Sequence, residues 1–301
     1  LRISRTKEQM VHQKERESDD PNSLGHQAHM EKLFANTVVG SSTLGSEESH
    51  ERIKKKDIEN FYKDNFHAKN MFIVVCTDLE LEILMQMLQK YFGKLPSKET
   101  LEIEPINSSI PEERESFIEK DTEQTLVSIA FPLPTLNPKN FILAFMLENL
   151  LGVGVGSRLW ALREEKKLAY VVNAKATHMN SGGILEVYLE TENSKREVAQ
   201  KELRKILVDL FESGLGEDEL KTTKIHSKSY FLRGIETKEI RAQNLDFFEA
   251  SGLGIDFVNQ ILVEIDKISL EEIEAYIKEV LNPERYVEVI VGPKEAQNSG
   301  S

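Results

Sequence analysis

Residues 53–77, IKKKDIENFYKDNFHAKNMFIVVCT, align without a gap on residues 268–292, ISLEEIEAYIKEVLNPERYVEVIVG. Ile58 falls on Ile273, Glu59 on Glu274, Phe61 on Tyr276, Lys63 on Lys278 and Val74 on Val289. In each copy apolar residues recur at helical spacing, a short polar turn follows, and a β-rich run closes the unit. Each copy therefore reads as an amphipathic helix, a turn and a strand. Copies this far apart exclude a solenoid, whose period is a few tens of residues, and point to two homologous αβ domains in tandem.

The domains follow from where the pattern changes. Residues 1–96 form the first, closing after a helix expected over 79–91 with an apolar face of Leu81, Leu84, Met85 and Leu88. Residues 97–111, polar and holding two prolines, read as a linker. Residues 112–296 form the second domain. It opens with strands over 116–119 and 124–131, then an apolar helix over 141–151 stopped by Gly152. A helix over 157–166 leads into strands over 169–177 and 184–191, joined by the turn Asn180-Ser181-Gly182-Gly183. Helices over 194–213, 216–233, 238–251 and 257–263 precede the second repeat unit. This order gives an α+β class, with helices covering one face of a mostly antiparallel sheet. The second domain is about twice the length of the first, so the first is expected to lack its opening half. The tail over 297–301, QNSGS, reads as a flexible end.

With 301 residues, of which 51 are acidic and 38 basic, the chain carries a formal charge of -13. That balance argues against nucleic acid or an anionic membrane as the main partner. A single cysteine, Cys76, excludes a disulfide framework and reads as a small core residue. No apolar run reaches the length of a membrane span, and the first twenty residues lack the apolar core of a signal peptide. The first residue is Leu, so a preceding segment is expected to have been lost, and localisation is left open.

The segment richest in chemistry is GVGVGSRLWALREEKKLAY, residues 152–170. Arg163 offers a permanent cation with a rigid fork of donors, and Tyr170 one directional O–H. Together they suit a grip on a peptide carbonyl and a developing oxyanion. The same two residues also fit a plain surface Arg and a half-buried strand Tyr. The glycines of residues 152–156 follow a helix and precede no Lys-Ser/Thr, which makes them a flexible loop rather than a phosphate cradle. His26 and His29 stand three apart, and with Glu31 or His12 they could bind a metal. A solvated helix face is the simpler reading of that pair. The basic runs 52–56 and 221–228 read as solvated helix faces too.

Several ordered markers carry a family resemblance: Asp19-Asp20-Pro21, Leu44-Gly45-Ser46-Glu47-Glu48-Ser49, Tyr91-Phe92-Gly93-Lys94-Leu95-Pro96, Gly156-Ser157-Arg158-Leu159-Trp160, Leu162-Arg163-Glu164 and Leu168-Ala169-Tyr170. With them the chain resembles, over nearly its whole length, the inverzincin metallopeptidases, which include insulin-degrading enzyme, pitrilysin and the processing peptidases. The resemblance implies tandem homologous αβ domains of the processing-peptidase type. It also implies a zinc site of the form H-x-x-E-H plus a further Glu, which this chain lacks. None of its seven His has the required neighbours, and Gln13 stands where the third ligand is expected; a shifted alignment brings Glu15 or Glu17 there. No cofactor is expected in this chain, and zinc is expected in a partner subunit or a missing segment. The positions that match the family's Arg and Tyr are Arg163 and Tyr170, with implied roles of gripping a substrate carbonyl and stabilising the tetrahedral oxyanion. The expected function is the non-zinc subunit of a heterodimeric metalloendopeptidase, inactive alone and active on unfolded peptide with a zinc-bearing homologous subunit. The alternatives are a non-catalytic assembly protein of the same fold, or a fragment of a complete zinc peptidase.

Overall fold

The computed structural model describes residues 2–100 and 104–294. Its centre is a five-stranded sheet of β1 (Glu115–Glu119), β2 (Gln124–Leu133), β3 (Val171–Met179), β4 (Gly182–Glu192) and β5 (Val287–Gly292), in the order β1-β5-β2-β4-β3. Neighbours are antiparallel except β1 and β5, which run parallel. β5, the strand of the second repeat unit, therefore lies inside the sheet with a partner on each side. The hairpin of β3 and β4 turns at Asn180-Ser181, one residue pair as the Gly-rich turn demands.

Helices pack on both faces. Inward residues of one face, among them Val127, Ile129, Phe131, Leu185, Val187 and Leu189, meet α6 (Pro138–Gly152), α8 (Arg196–Ser213), α9 (Glu217–Arg233), α11 (Phe257–Lys267) and α12 (Leu270–Val280) in the main core. α6 starts three residues before the expected 141: Asn137 caps it by accepting from the Asn140 N–H, and Pro138 occupies its first turn. α12 carries a capping box, Ser269 with Glu272. The opposite face, Leu126, Ala130, Ile184, Val287, Val289 and Val291, is covered by Met30, Leu33 and Phe34. Two of these belong to α2 (Pro21–Leu33), which follows the long exposed α1 (Arg2–Asp19). The expectation of helices on one face alone is thus corrected, because α2 supplies the apolar cover the second face requires.

β3 is an edge strand, and the fold closes it. The Ala176 N–H donates to Glu148 Oε2 of α6 at 3.3 Å, and the Ala174 N–H to the Asn173 side chain at 2.9 Å. α6 approaches this closely because its last residue is Gly152: a Cβ there would lie 2.0 Å from the Ala174 nitrogen.

The two repeat units share local structure and differ in surroundings. α4 (Lys55–Asn65) corresponds to α12, yet Ile58 is 45% exposed against 0% for Ile273, and Phe61 63% against 4% for Tyr276. Residues 71–77 form no regular secondary structure and pair with no strand among the described residues, which corrects the strand expected there. The reason is local: β5 has β1 and β2 beside it, and nothing equivalent flanks 71–77. Cys76 is accordingly half-buried rather than a core residue. α5 (Leu81–Phe92) forms where a helix is expected, with no buried residue, and Leu81 and Met85 face outward. The linker is not free throughout, since Ile106 and Ile110 pack on the α2 side of the sheet; its residues 101–103 and the tail expected to be flexible lie outside the described residues.

Candidate functional site

Arg163 and Tyr170 open onto the same cleft, of about 290 Å³, together with Glu164, Lys167, Leu168, Ala169, Glu192 and Lys195. The segment that carries them is held from below. α7 (Trp160–Glu164), shorter than the helix expected over 157–166, buries Leu162, and Leu159 and Ala169 on either side of it are buried as well. Arg158 anchors the entry: its Nε and Nη2 donate to the two Glu219 oxygens at 2.8 Å each, and Nη2 also to the Gly214 carbonyl at 2.9 Å. The exit is anchored to β4. Thr191 Oγ1 donates to the Leu168 carbonyl at 2.6 Å, and the Tyr170 N–H to the Glu190 carbonyl at 2.9 Å. Between these anchors Lys167 adopts φ 53°, the left-handed turn that lets the chain reverse from α7 into β3.

The two side chains themselves are loosely tied. The Arg163 guanidinium lies 4.9 Å from the Trp160 ring centroid and its Nε 3.7 Å from Glu164 Oε1, with about half its side chain exposed. No hydrogen bond commits its fork among the described residues. Tyr170 is 55% exposed, and its hydroxyl donates to Glu192 Oε1 at 3.3 Å. Lys195 Nζ donates to the same oxygen at 2.9 Å, and this bond is the main reason the Glu192 carboxyl sits below its ordinary pKa. The cleft therefore presents donors from Arg163, Tyr170 and Lys195 around an ionised carboxylate. Such an array can bind a carbonyl oxygen or an oxyanion.

The residues expected to stand at the lost zinc site do not assemble one. Gln13 lies exposed on α1 and donates to Glu17 Oε1 at 3.0 Å, while Glu15 meets His12 at 3.0 Å. Among the described residues no group of three or more His, Cys, Asp or Glu is arranged to hold a metal ion. Gln13, Glu15 and Glu17 therefore lie along one exposed helix, with no further donor of this kind gathered about them among the described residues.

Sequence reasoning missed two sets of polar groups. His29 is fully buried and His26 is half-buried, both turned toward Glu186 of β4, so this pair is not the solvated face expected of it. Spacing of three on a helix signals a shared face but not which way that face points. The second is Glu148 with His178. Burial lifts the Glu148 carboxyl to about 7, opposed by the Ala176 N–H and Lys175, and burial against Phe141 and Phe247 lowers His178 to about 4.

Known proteins resemble this chain in sequence and in fold. The family model described as the Peptidase M16 inactive domain matches residues 52–226. The non-peptidase homolog YmxG of Helicobacter pylori is 27% identical over 283 residues, covering 92% of this chain and 64% of that protein. An uncharacterized zinc protease of Mycobacterium tuberculosis is 22% identical over 93% of this chain and 65% of its own length. The chain thus spans less than two thirds of these relatives. The crystal structure of a peptidase M16 inactive domain from Pseudomonas fluorescens superposes with a TM-score of 0.87 at 21% identity, covering 98% of this chain and 71% of that one. A chain of complex III2 from Candida albicans superposes with a TM-score of 0.83 at 17% identity, over 96% and 71% respectively. The family match extends over more than half of the chain and takes in α6, the Arg163–Tyr170 segment, β3 and β4, so this chain belongs to the M16 peptidase family, in the part described as its inactive domain.

Proposed function

We propose that this chain supplies the carbonyl-gripping and oxyanion-stabilising half of an M16 peptidase site, with Arg163 and Tyr170 as the residues that touch substrate. The observation that carries this reading is the shared cleft: two side chains on a rigidly anchored turn, with the Arg163 donors uncommitted and the Tyr170 hydroxyl tied only by a long bond to an exposed carboxylate. Bound there, an extended peptide would place a carbonyl oxygen against the guanidinium, while the phenol O–H meets the charge that develops on the attacked carbonyl. The water that attacks requires activation from outside this chain's own donor set, by a zinc-bearing homologous subunit. The exposed apolar faces of α4 and α5 support a larger assembly, because a patch of that kind is uncommon on a self-sufficient monomer. On this reading residues 1–96 are a partial peptidase-like domain and residues 112–296 a complete one.

The test is a reconstitution. Purified chain alone is expected to contain no stoichiometric zinc and to leave a fluorogenic unfolded peptide uncleaved. Cleavage is expected on adding a zinc-bearing M16 subunit, and Arg163→Ala or Tyr170→Phe is expected to lower kcat/KM by about 10²-fold. Unchanged cleavage with either variant would sink the assignment, and zinc bound by the chain alone would redirect it to a peptidase site of its own. A second reading, a non-catalytic assembly protein, is favoured by the description of the Helicobacter pylori relative as a non-peptidase homolog. Under it the partner complex forms equally well with both variants and never cleaves.

A further inference from the structure

Helix α2 meets the sheet through one polar face. Asn22, His26 and His29 stand at helical positions i, i+4 and i+7, and Glu186 and Glu190 stand four apart on β4, hence on one face of the strand. Asn22 Nδ2 donates to Glu190 Oε1 at 2.6 Å, His26 Nδ1 lies 2.8 Å from Glu186 Oε2, and His29 Nδ1 lies 3.3 Å from Glu186 Oε1. Glu186 is 6% exposed and His29 not at all, whereas the His26 side chain is 42% exposed. Burial by itself would raise the Glu186 carboxyl; the hydrogen bonds and charge of the two rings outweigh it and hold it at about 2. The carboxylate is therefore ionised at any physiological pH.

The other charges around the pair are few. From β3, Lys175 is the cross-strand partner of Glu186 and is exposed. From β4, Tyr188 accepts from Asn173 and Glu190 is bound to Asn22. α1 brings Lys14 and Glu17 to the groove that His26 enters, and α2 itself adds Glu31 there. Lys32 is turned to the Glu113 carbonyl and Asp20 caps its own helix. β5 and β2 bring no titratable side chain to this face: Val287, Val289, Val291, Leu126 and Ala130 line it, with the buried hydroxyl of Ser128 between the last two. Gly25 brings the helix down onto them, since a Cβ at that position would sit 2.7 Å from Leu126 Cδ2. With α2 seated so closely, the ring of this pair that reaches solvent is that of His26.

We propose that the α2–β4 contact is a proton-operated joint: protonation of His26 completes a charge pair with the buried Glu186 carboxylate and tightens α2 on the sheet, and loss of that proton loosens it. His29, fully buried 3.3 Å from the other carboxylate oxygen, is sealed from solvent. The joint grips β4 at Glu190, whose backbone carbonyl accepts from the Tyr170 N–H, so it sets how the first unit sits relative to the Arg163–Tyr170 cleft. The claim stands independently of what that cleft does.

Hydrogen exchange on the chain as it exists tests this. Amide protection of α2, corrected for intrinsic rates and referenced to α8, is expected to fall about fivefold between pH 5.5 and 8, as a charge-assisted bond becomes a neutral one. His26→Gln keeps a donor that cannot titrate, and its α2 protection is expected to be flat across that range. A flat profile in the unmodified chain, or an undiminished slope in H26Q, overturns the joint. On the unmodified chain alone, the His26 ring resonance is expected to shift over the same pH interval in which α2 protection changes. Separate transitions overturn the proposal as well, so it remains testable even if the variant fails to fold.

Discussion

Arg158 and Arg163 share one short segment and do opposite work. Arg158 is locked by a bidentate pair with Glu219 and holds the turn in place, whereas Arg163 is half-exposed and meets only Glu164, at 3.7 Å, and the Trp160 ring. The same contrast separates Arg163 from Arg204, which neutralises Glu288, a carboxylate 1% exposed on β5 that also accepts from Gln200 at 2.9 Å. Arg204→Met strands a buried charge and is expected to cost about 3 kcal/mol, while Arg163→Ala is expected to change stability by less than about 0.5 kcal/mol, both read from urea unfolding. Two half-buried groups act on stability in opposite pH directions. The His178 pKa is depressed to about 4 from an ordinary 6.5, so its contribution is present above pH 6.5 and is lost as pH falls through 4. The Glu148 pKa is raised to about 7 from 4.5, so the fold favours its protonated form and stability is lost as pH rises from 4.5 through 7. Glu148→Gln keeps an acceptor for the Ala176 N–H without the charge. It is expected to stabilise the protein by about 2 kcal/mol at pH 8 and by much less at pH 4.5, measured by paired denaturation curves.

At the scale of elements, what was legible in the sequence is what local chemistry decides. α6 follows from an apolar run closed by Gly152, and the β3–β4 hairpin from its Gly-containing turn, while the Asn137 cap that starts α6 earlier went unread. Arg163 and Tyr170 were legible because a short segment carries both, so no distant contact was needed to bring them to one cleft. What stayed hidden depends on distant partners. Nothing near His26 announces Glu186, which lies 160 residues away. Residues 71–77 have the composition of a strand but not the neighbours that make one, and composition cannot report the neighbours. Gly152 also escaped, since its sequence context says helix stop while the structure shows a helix seated directly on an edge strand. Gly152→Ala would press a methyl group into the backbone at Asn173 and Ala174, which cannot yield as a side-chain tip can. That variant is expected to lose about 3 kcal/mol and to expose the β3 amides, seen as faster exchange at Ala174 and Ala176.

Across the whole molecule, the repeat supplies an internal control that few proteins offer. α12 and β5 bury Ile273, Tyr276, Ile277, Val287, Val289 and Val291, and the corresponding α4 and 71–77 segment leaves Ile58, Phe61, Tyr62 and Phe72 exposed. Similar local sequences thus sit in two environments, one with a sheet to cover and one without. Since helices of this length draw most of their stability from packing an apolar face, the first copy should be held far more weakly than the second. Hydrogen exchange on the isolated chain is expected to show β5 and α12 opening only with global unfolding. Residues 55–77 should exchange at least about 10²-fold faster than their counterparts 270–292, and a hydrophobic dye should bind the native protein at neutral pH. Both signals should fall together when a partner or a longer form of the polypeptide covers α4 and α5. If instead residues 71–77 proved as protected as 287–292 in the isolated chain, these segments would already be paired in solution, by a second copy of the chain. A concentration-dependent sedimentation coefficient would then be the expected companion result, and the partial-domain reading of residues 1–96 would give way to a self-completed one.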